Sequence, residues 1–176
     1  MGWQVNFYGT QKDMNELCEF IKKKGGIVIQ EDGKELTEED LQHITDFEYI
    51  KKRFRYWNFY IKRKDSKIIY NYYSENNRKC VSDSYSDVLS FSIPWIRNNQ
   101  KEYDRGRVYY YGQCEGWGAN TEETKKLYNA IKRYIKNNYV KRKEEFGFQV
   151  YMGKDGYEQL KNGTLSPELF KFCTYC

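Results

Sequence analysis

The amino-acid sequence predicts an α+β fold, in which a mostly antiparallel sheet of about five to seven strands has an N-terminal β-α-β start and two or three helices packed on one face. Two observations lead to this prediction. Apolar residues alternate with a period of two in several short segments, and they recur every three to four residues in the segments that begin near Gln11 and Thr121. The 176 residues contain no internal repeat and no low-complexity linker, so that residues 1–176 are expected to form a single domain.

The N-terminal segment is predicted to form a strand, a helix and a second strand. The first strand has one apolar face, formed by Trp3, Val5 and Phe7. Thr10 and Asp13 have the spacing of a capping box, which marks a helix start. The helix then presents one apolar stripe, formed by Met14, Leu17, Cys18 and Ile21. Residues 27–29 resume the strand pattern.

The rest of the chain predicts further short strands and two more helical regions. Thr37 and Asp40 repeat the cap before a short helix within residues 41–52. The strand pattern recurs at 56–62, 67–73, 88–95, 107–112 and 148–153. The first two of these strands are predicted to pair as a hairpin through the turn at Asp65. A last short helix covers residues 155–163.

A basic helix is predicted over residues 121–143, with Asn120 as its N-cap. This stretch holds eight Lys or Arg between Lys125 and Lys143 and no carboxylate among them. One side of the helix is apolar and is expected to pack on the sheet. The other side is expected to bind an acidic partner or to be a solvated surface. The residues singled out for an acidic partner are Lys125, Lys132, Arg133, Lys136 and Lys143.

The segment 51–57 combines cations with aromatic rings. Arg53 and Arg55 alternate with Phe54, Tyr56 and Trp57. Rings beside cations hold single-stranded nucleic acid, but the same alternation is typical of a half-buried strand. Both interpretations stay open, and Arg53 and Arg55 are added to the candidate nucleic-acid residues.

Several aromatic residues are candidates for contact with a partner protein, because Trp and Tyr dominate binding hot spots. They are Trp95, Trp117, Tyr109, Tyr110 and Tyr111. Trp117 lies in the glycine-rich stretch 112–120, which could instead be a simple connection between a strand and a helix.

The residues needed for common catalytic chemistries are scattered or missing. His43 is the only histidine, and no Gly-rich phosphate loop is present. Cys173 and Cys176 have metal-ligand spacing, but no second pair of that kind exists. Neither a metal nor a cofactor is therefore expected.

A metal-dependent nuclease would need converging carboxylates and a lysine. Asp65 and Lys67 are the nearest such fragment, in a predicted turn. The other acids considered for this role are Asp83, Asp87, Glu102 and Asp104. Because they lie in separate segments, we expect no enzymatic activity, and a hydrolase or nuclease ranks third among the hypotheses.

Composition limits the class of protein further. Eighteen Tyr and four Trp compensate for a modest aliphatic content, and 30 basic against 25 acidic residues give a net charge of +5. No apolar stretch is long enough to span a membrane, and the five Cys are interpreted as reduced thiols, so a cytoplasmic protein is expected. The abundance of Lys, Asn, Tyr and Ile is typical of an AT-rich bacterial or phage genome.

These observations predict a non-catalytic binding protein that acts through a protein partner, which could be acidic. An inhibitor or immunity-type factor of a bacterium, phage or mobile element is the expected class. The alternative is a nucleic-acid-binding protein that uses the basic helix 121–143. Oligomeric state is left open by the sequence.

Overall fold

The computed structural model describes residues 2–55, 58–83, 85–92, 96–97, 102–103, 106–111, 121–143 and 149–164. The strands, in chain order, are β1 (Gly2–Tyr8), β2 (Gly26–Ile29), β3 (Asn58–Arg63), β4 (Tyr70–Tyr73), β5 (Arg78–Val81), β6 (Val88–Ser92), β7 (Ile96–Arg97), β8 (Glu102–Tyr103), β9 (Gly106–Tyr111), β10 (Val140–Lys143) and β11 (Gln149–Met152). The helices are α1 (Gln11–Lys23), α2 (Glu38–Gln42), α3 (Phe47–Arg53), α4 (Glu122–Asn138) and α5 (Lys154–Asn162).

One seven-stranded sheet organises the fold, in the spatial order β10-β11-β1-β9-β6-β3-β2. Its neighbours pair antiparallel, except that β1 and β11 run parallel. Strands β4 and β5 form a separate two-stranded sheet, as do β7 and β8. The predicted α+β class with a mostly antiparallel sheet is confirmed.

The two faces of the large sheet are covered differently. On one face, apolar residues of α1 and α4 pack against Phe7, Phe59 and Leu89 to form the main core. Because successive residues of a strand point to opposite faces, Tyr60 belongs to the other face. There it packs with Ile29, Val81 and Val88 in a smaller core that includes the β4–β5 hairpin. Helices and hairpin therefore lie on opposite sides of the sheet.

The predicted β-α-β start is confirmed by β1, α1 and β2. The Thr10 side chain accepts a hydrogen bond from the backbone of Asp13, and the Asp13 carboxylate accepts one from the Thr10 backbone, which completes the capping box. The predicted apolar stripe is buried throughout: Met14, Leu17, Cys18 and Ile21.

Asp13 also joins the start of α1 to the start of α5. One carboxylate oxygen accepts from the backbone N–H of Asp155 and the other from that of Gly156, each at 3.0 Å. The second oxygen also accepts from Thr10 N–H at 3.0 Å. Gly153 packs so closely that a Cβ at that position would overlap the Asp13 carboxyl group. One buried carboxylate thus caps two helices, as N-terminal N–H groups require acceptors.

The helical region after Thr37 consists of two helices rather than one. Thr37 and Asp40 form the predicted capping box at the start of α2. Asp46 then accepts a hydrogen bond from Tyr49 N–H and starts α3 as a second N-cap. An Asp before an apolar residue favours a new helix start over continuation of the first.

The predicted hairpin between residues 56–62 and 67–73 is wrong. Strand β3 already pairs with β2 on one side and β6 on the other, so no free edge remains for β4. Strand β4 pairs instead with β5 through a 3₁₀ turn at Ser74–Asn76. Asn77 closes that turn with a positive φ of 49°, a conformation that Asn tolerates better than most residues.

None of the helices in the described ranges is long and apolar enough to cross a membrane.

Candidate functional site

Helix α4 carries the basic residues singled out in the sequence, but it begins and ends differently from the prediction. Its N-cap is Thr121 rather than Asn120, and residue 120 lies outside the described ranges. Asp87 accepts hydrogen bonds from the Thr121 backbone at 2.9 Å and its hydroxyl at 3.0 Å. This carboxylate fixes the start of the helix, which the local sequence could not reveal.

The helix ends at Asn138 instead of continuing to Lys143. The chain then enters β10, which pairs antiparallel with β11, and Lys143 is the last residue of that strand. The Lys143 side chain is not among those described.

Lys141 of β10 lies on the same side of the sheet as its buried partner Tyr151, which belongs to the main core, because paired residues in an antiparallel ladder share a face. Lys141 therefore lies on the helix-covered face.

The cations of α4 gather on one side of the helix. At 100° per residue, Lys125, Lys132 and Lys136 fall within about 40° of one another, and Lys126 and Arg133 form an adjoining row. In the described part of the chain, none of these five forms an ion pair. Together with exposed Lys141 they define the basic surface: Lys125, Lys126, Lys132, Arg133, Lys136 and Lys141.

Arg53 and Arg55 lie far from the strand part of the basic surface, which is Lys141 on β10. Both precede β3, which four intervening strands separate from β10, roughly 24 Å at the usual strand spacing. Arg53 Nε instead donates to buried Asp40 at 3.1 Å, and Tyr49 Oη donates to the same oxygen at 2.8 Å. Burial alone would raise the pKa of Asp40, but hydrogen bonds from Thr37 and Tyr49 and the charge of Arg53 hold it below its ordinary value.

The predicted aromatic anchors are not assembled into a described surface. Trp95 and Trp117 lie outside the described residues. Tyr109, Tyr110 and Tyr111 form the end of β9, whose backbone pairs with β1, but their side chains are not described. Their role as anchors stays a prediction.

The structure shows exposed tyrosines at positions that sequence reasoning missed. Tyr72 is 74% exposed, Tyr85 57% and Tyr73 51%. Tyr72 and Tyr73 lie on β4, and Tyr85 lies in the turn after β5. The repeated Tyr within residues 67–73 is a signal, but the sequence pattern predicts that this segment pairs with residues 56–62. We call Tyr72, Tyr73, Tyr85, Arg78 and Lys79 the tyrosine hairpin.

Cations order the rings of this hairpin. Lys79 Nζ lies 3.7 Å from the centroid of the Tyr70 ring, and the Arg78 guanidinium lies 5.9 Å from that of Tyr73. Arg78 also donates to the Glu31 carboxylate at 2.7 Å. Of the exposed rings, Tyr73 is therefore already held beside a cation in the free protein.

A pocket of about 570 Å³ lies between the hairpin and the turn at residues 30–34. Its walls include Glu31, Arg55, Arg78 and Cys80. Burial raises the pKa of Glu31 and also that of the Cys80 thiol. A thiol with a raised pKa is a poor nucleophile at neutral pH, so the pocket holds no activated thiolate.

The other residues considered for chemistry have structural partners where they are described. Asp87 caps α4, and Asp65 forms a bidentate ion pair with Arg63 at 2.6 and 2.7 Å. His43 stacks on Tyr49 with ring centroids 4.6 Å apart. Glu102, Asp104, Cys173 and Cys176 have no described side chains. Within the described ranges, no three His, Cys, Asp or Glu residues are grouped to hold a metal ion.

Comparison of the chain with known protein families, characterised proteins and solved structures gives no match.

Proposed function

We propose that this protein is a non-catalytic binding protein whose partner is another protein, and that the tyrosine hairpin is the contact surface. One observation carries the proposal. The exposed large apolar side chains of the described chain are Tyr72, Tyr73 and Tyr85, all within residues 72–85. Scattered single exposed rings are common on soluble proteins. Tyr72 and Tyr73 are consecutive on β4 and point to opposite faces of the hairpin, so the proposal rests on the grouping of three exposed rings on one short projecting segment.

The chemistry of the hairpin suits a protein partner. Tyrosine buries a large ring and keeps a hydroxyl for hydrogen bonding, and it has few rotatable bonds to immobilise. Tyr and Arg are both enriched at hot spots. Lys79 and Arg78 already pack on neighbouring rings in the free protein. These side chains therefore lose less conformational entropy when a partner binds.

The buried acidic residues and the Cys18 thiol of the described chain have structural roles, which supports a binding role over a catalytic one. Asp13, Asp40 and Asp87 are buried and accept backbone or side-chain hydrogen bonds that stabilise helix starts. Cys18 is buried among apolar residues, and burial raises its pKa to about 12. An inhibitor or immunity-type factor needs a stable docking surface rather than reactive groups, and we retain that class within the proposal.

The test is site-specific photocrosslinking followed by titration. A benzophenone amino acid replaces Tyr72 in the full chain, which is expressed in its native cells, and a second protein carries the same group at Tyr157. Tyr157 is the control because it is a tyrosine that lies on α5, outside the tyrosine hairpin. Position 72 is expected to capture one protein that position 157 does not.

The captured protein is then purified and titrated against defined variants. We expect Tyr72→Ala or Tyr73→Ala to weaken binding at least about 30-fold, which corresponds to the roughly 2 kcal/mol of a hot-spot residue. Tyr157→Ala should bind like the wild type. Equal affinity of all the variants would exclude the tyrosine hairpin as the contact surface.

A further inference from the structure

The basic surface of α4 and β10 differs in composition from the tyrosine hairpin. The exposed residues of α4 are Lys, Arg, Asn and Glu, and no apolar side chain on this helix is exposed. Protein interfaces are depleted in Lys and are built around aromatic or apolar anchors. Contacts to nucleic-acid phosphates are made by Lys and Arg, with Asn as an additional hydrogen-bond donor.

We propose that α4 and β10 form a second binding surface, which contacts the phosphate backbone of nucleic acid without reading base sequence. This proposal does not depend on the tyrosine hairpin, because the hairpin packs against the opposite face of the sheet. The surface extends the cation row of the helix onto a strand, through Lys141.

The dimensions of the surface fit a run of phosphates. Lys125 and Lys136 are eleven residues apart, about 16 Å along a helix that rises 1.5 Å per residue. Double-stranded DNA carries one charge per about 1.7 Å of axis, so several phosphates face a row of this length. Lys132 lies between the two ends of the row, and its ammonium is held 5.9 Å from the ring of Tyr128.

The flanks of α4 give the surface a direction. Tyr134 stacks on Phe20 of α1 with centroids 4.2 Å apart, which marks the side of α4 that faces α1. Glu16, Glu19, Lys22 and Lys23 of α1 line that same side, so its charges are of both signs. The cation rows of α4 lie on the other side of the helix, so the charge of a single sign that attracts a polyanion lies away from α1.

The test is a salt titration of binding to a fluorescent duplex of about 20 base pairs, from about 50 to about 200 mM salt. If the six cations of the surface each neutralise one phosphate, affinity should fall about 10³-fold across this range. The variant Lys132→Glu/Arg133→Glu/Lys136→Glu should bind more weakly at every salt concentration, with a fall of about 40-fold.

A charge-matched variant separates a local effect from net charge. Lys23→Glu/Lys34→Glu/Lys67→Glu changes three exposed lysines outside the basic surface and produces the same change in charge. It should keep the salt dependence of the wild type, and circular dichroism should show that both variants are folded. If the α4 variant does not fold, the wild type is acetylated at its lysines with and without the duplex. Lys125, Lys132 and Lys136 should then be acetylated more slowly when the duplex is bound.

Five results would overturn the proposal, and the first three concern the affinity and the protection of the lysines. They are no binding at the lowest salt concentration, an equal loss of affinity in the two triple variants, and no protection of the α4 lysines. Polyglutamate that competes as well as DNA would assign the surface to an acidic protein instead. A duplex sequence preferred more than about tenfold would contradict sequence-independent contact.

Discussion

Replacement of Asp13 by Ala should remove a large part of the stability of the fold. The Asp13 side chain is buried and accepts from the backbone N–H groups of Thr10, Asp155 and Gly156. Each buried donor that loses its acceptor costs about 1–3 kcal/mol. The space left by the carboxyl group can admit a water molecule, which favours the lower part of that range for each group. We expect a loss of about 3–5 kcal/mol.

A loss of this size is a third or more of the stability of many domains, which is about 5–15 kcal/mol. For a chain of this length it corresponds to a fall in Tm of roughly 6–20 °C. Asp13→Asn should cost less than Asp13→Ala, because the amide oxygen can still accept from two of the three N–H groups. Its NH₂ group, however, would face the third donor.

The assay is urea denaturation followed by circular dichroism for the wild type, Asp13→Ala, Asp13→Asn and a control. Lys12→Ala is the control, since Lys12 is exposed in the same helical turn and should change stability by less than about 0.5 kcal/mol. A loss below about 1 kcal/mol for Asp13→Ala would refute the assignment of this carboxylate as a double helix cap.

Two further predictions concern Gly153 and Cys18. Gly153→Ala should destabilise the protein by about 1–3 kcal/mol, because its Cβ would overlap the Asp13 carboxyl group. Gly156→Ala should be tolerated, because the nearest atom to its Cβ is 3.4 Å away. Equal stability of the two variants in urea denaturation would contradict this packing. Burial raises the pKa of Cys18 from its ordinary value of 9.0 to about 12, so the folded state keeps this proton longer than the unfolded state. Stability should therefore fall as pH rises from about 9 to about 12, and Cys18→Ala should flatten that fall; an unchanged slope would exclude this thiol as its cause.

The sequence predicted the elements whose contacts are local. The capping box of Thr10 and Asp13 and the apolar stripe of α1 are encoded within a dozen residues, and the structure confirms both. The second role of Asp13 could not be predicted, because Asp155 and Gly156 lie 142 and 143 residues further along the chain. Contacts of this kind leave no periodic signal.

The errors at the candidate sites have the same origin. Residues 140–143 continue the basic pattern of α4, and only the pairing of β10 with β11 shows that they form a strand. The exposure of Tyr72 depends on which strand β4 joins, and that choice was decided by the saturated edges of β3. Local sequence identified the charges and rings, whereas strand pairing determined where they lie.

The parallel pair of β1 and β11 has a consequence for how this chain folds during synthesis. Phe7 pairs in register with Tyr151, and β1 is an interior strand of the sheet. At about 5–20 residues per second, a ribosome takes roughly 7–30 s to deliver β11 after β1 has been made. During that time one edge of β1 has no partner and α1 lacks its second cap. The sheet is therefore completed late, and until β11 arrives the open edge of β1 can pair with other chains.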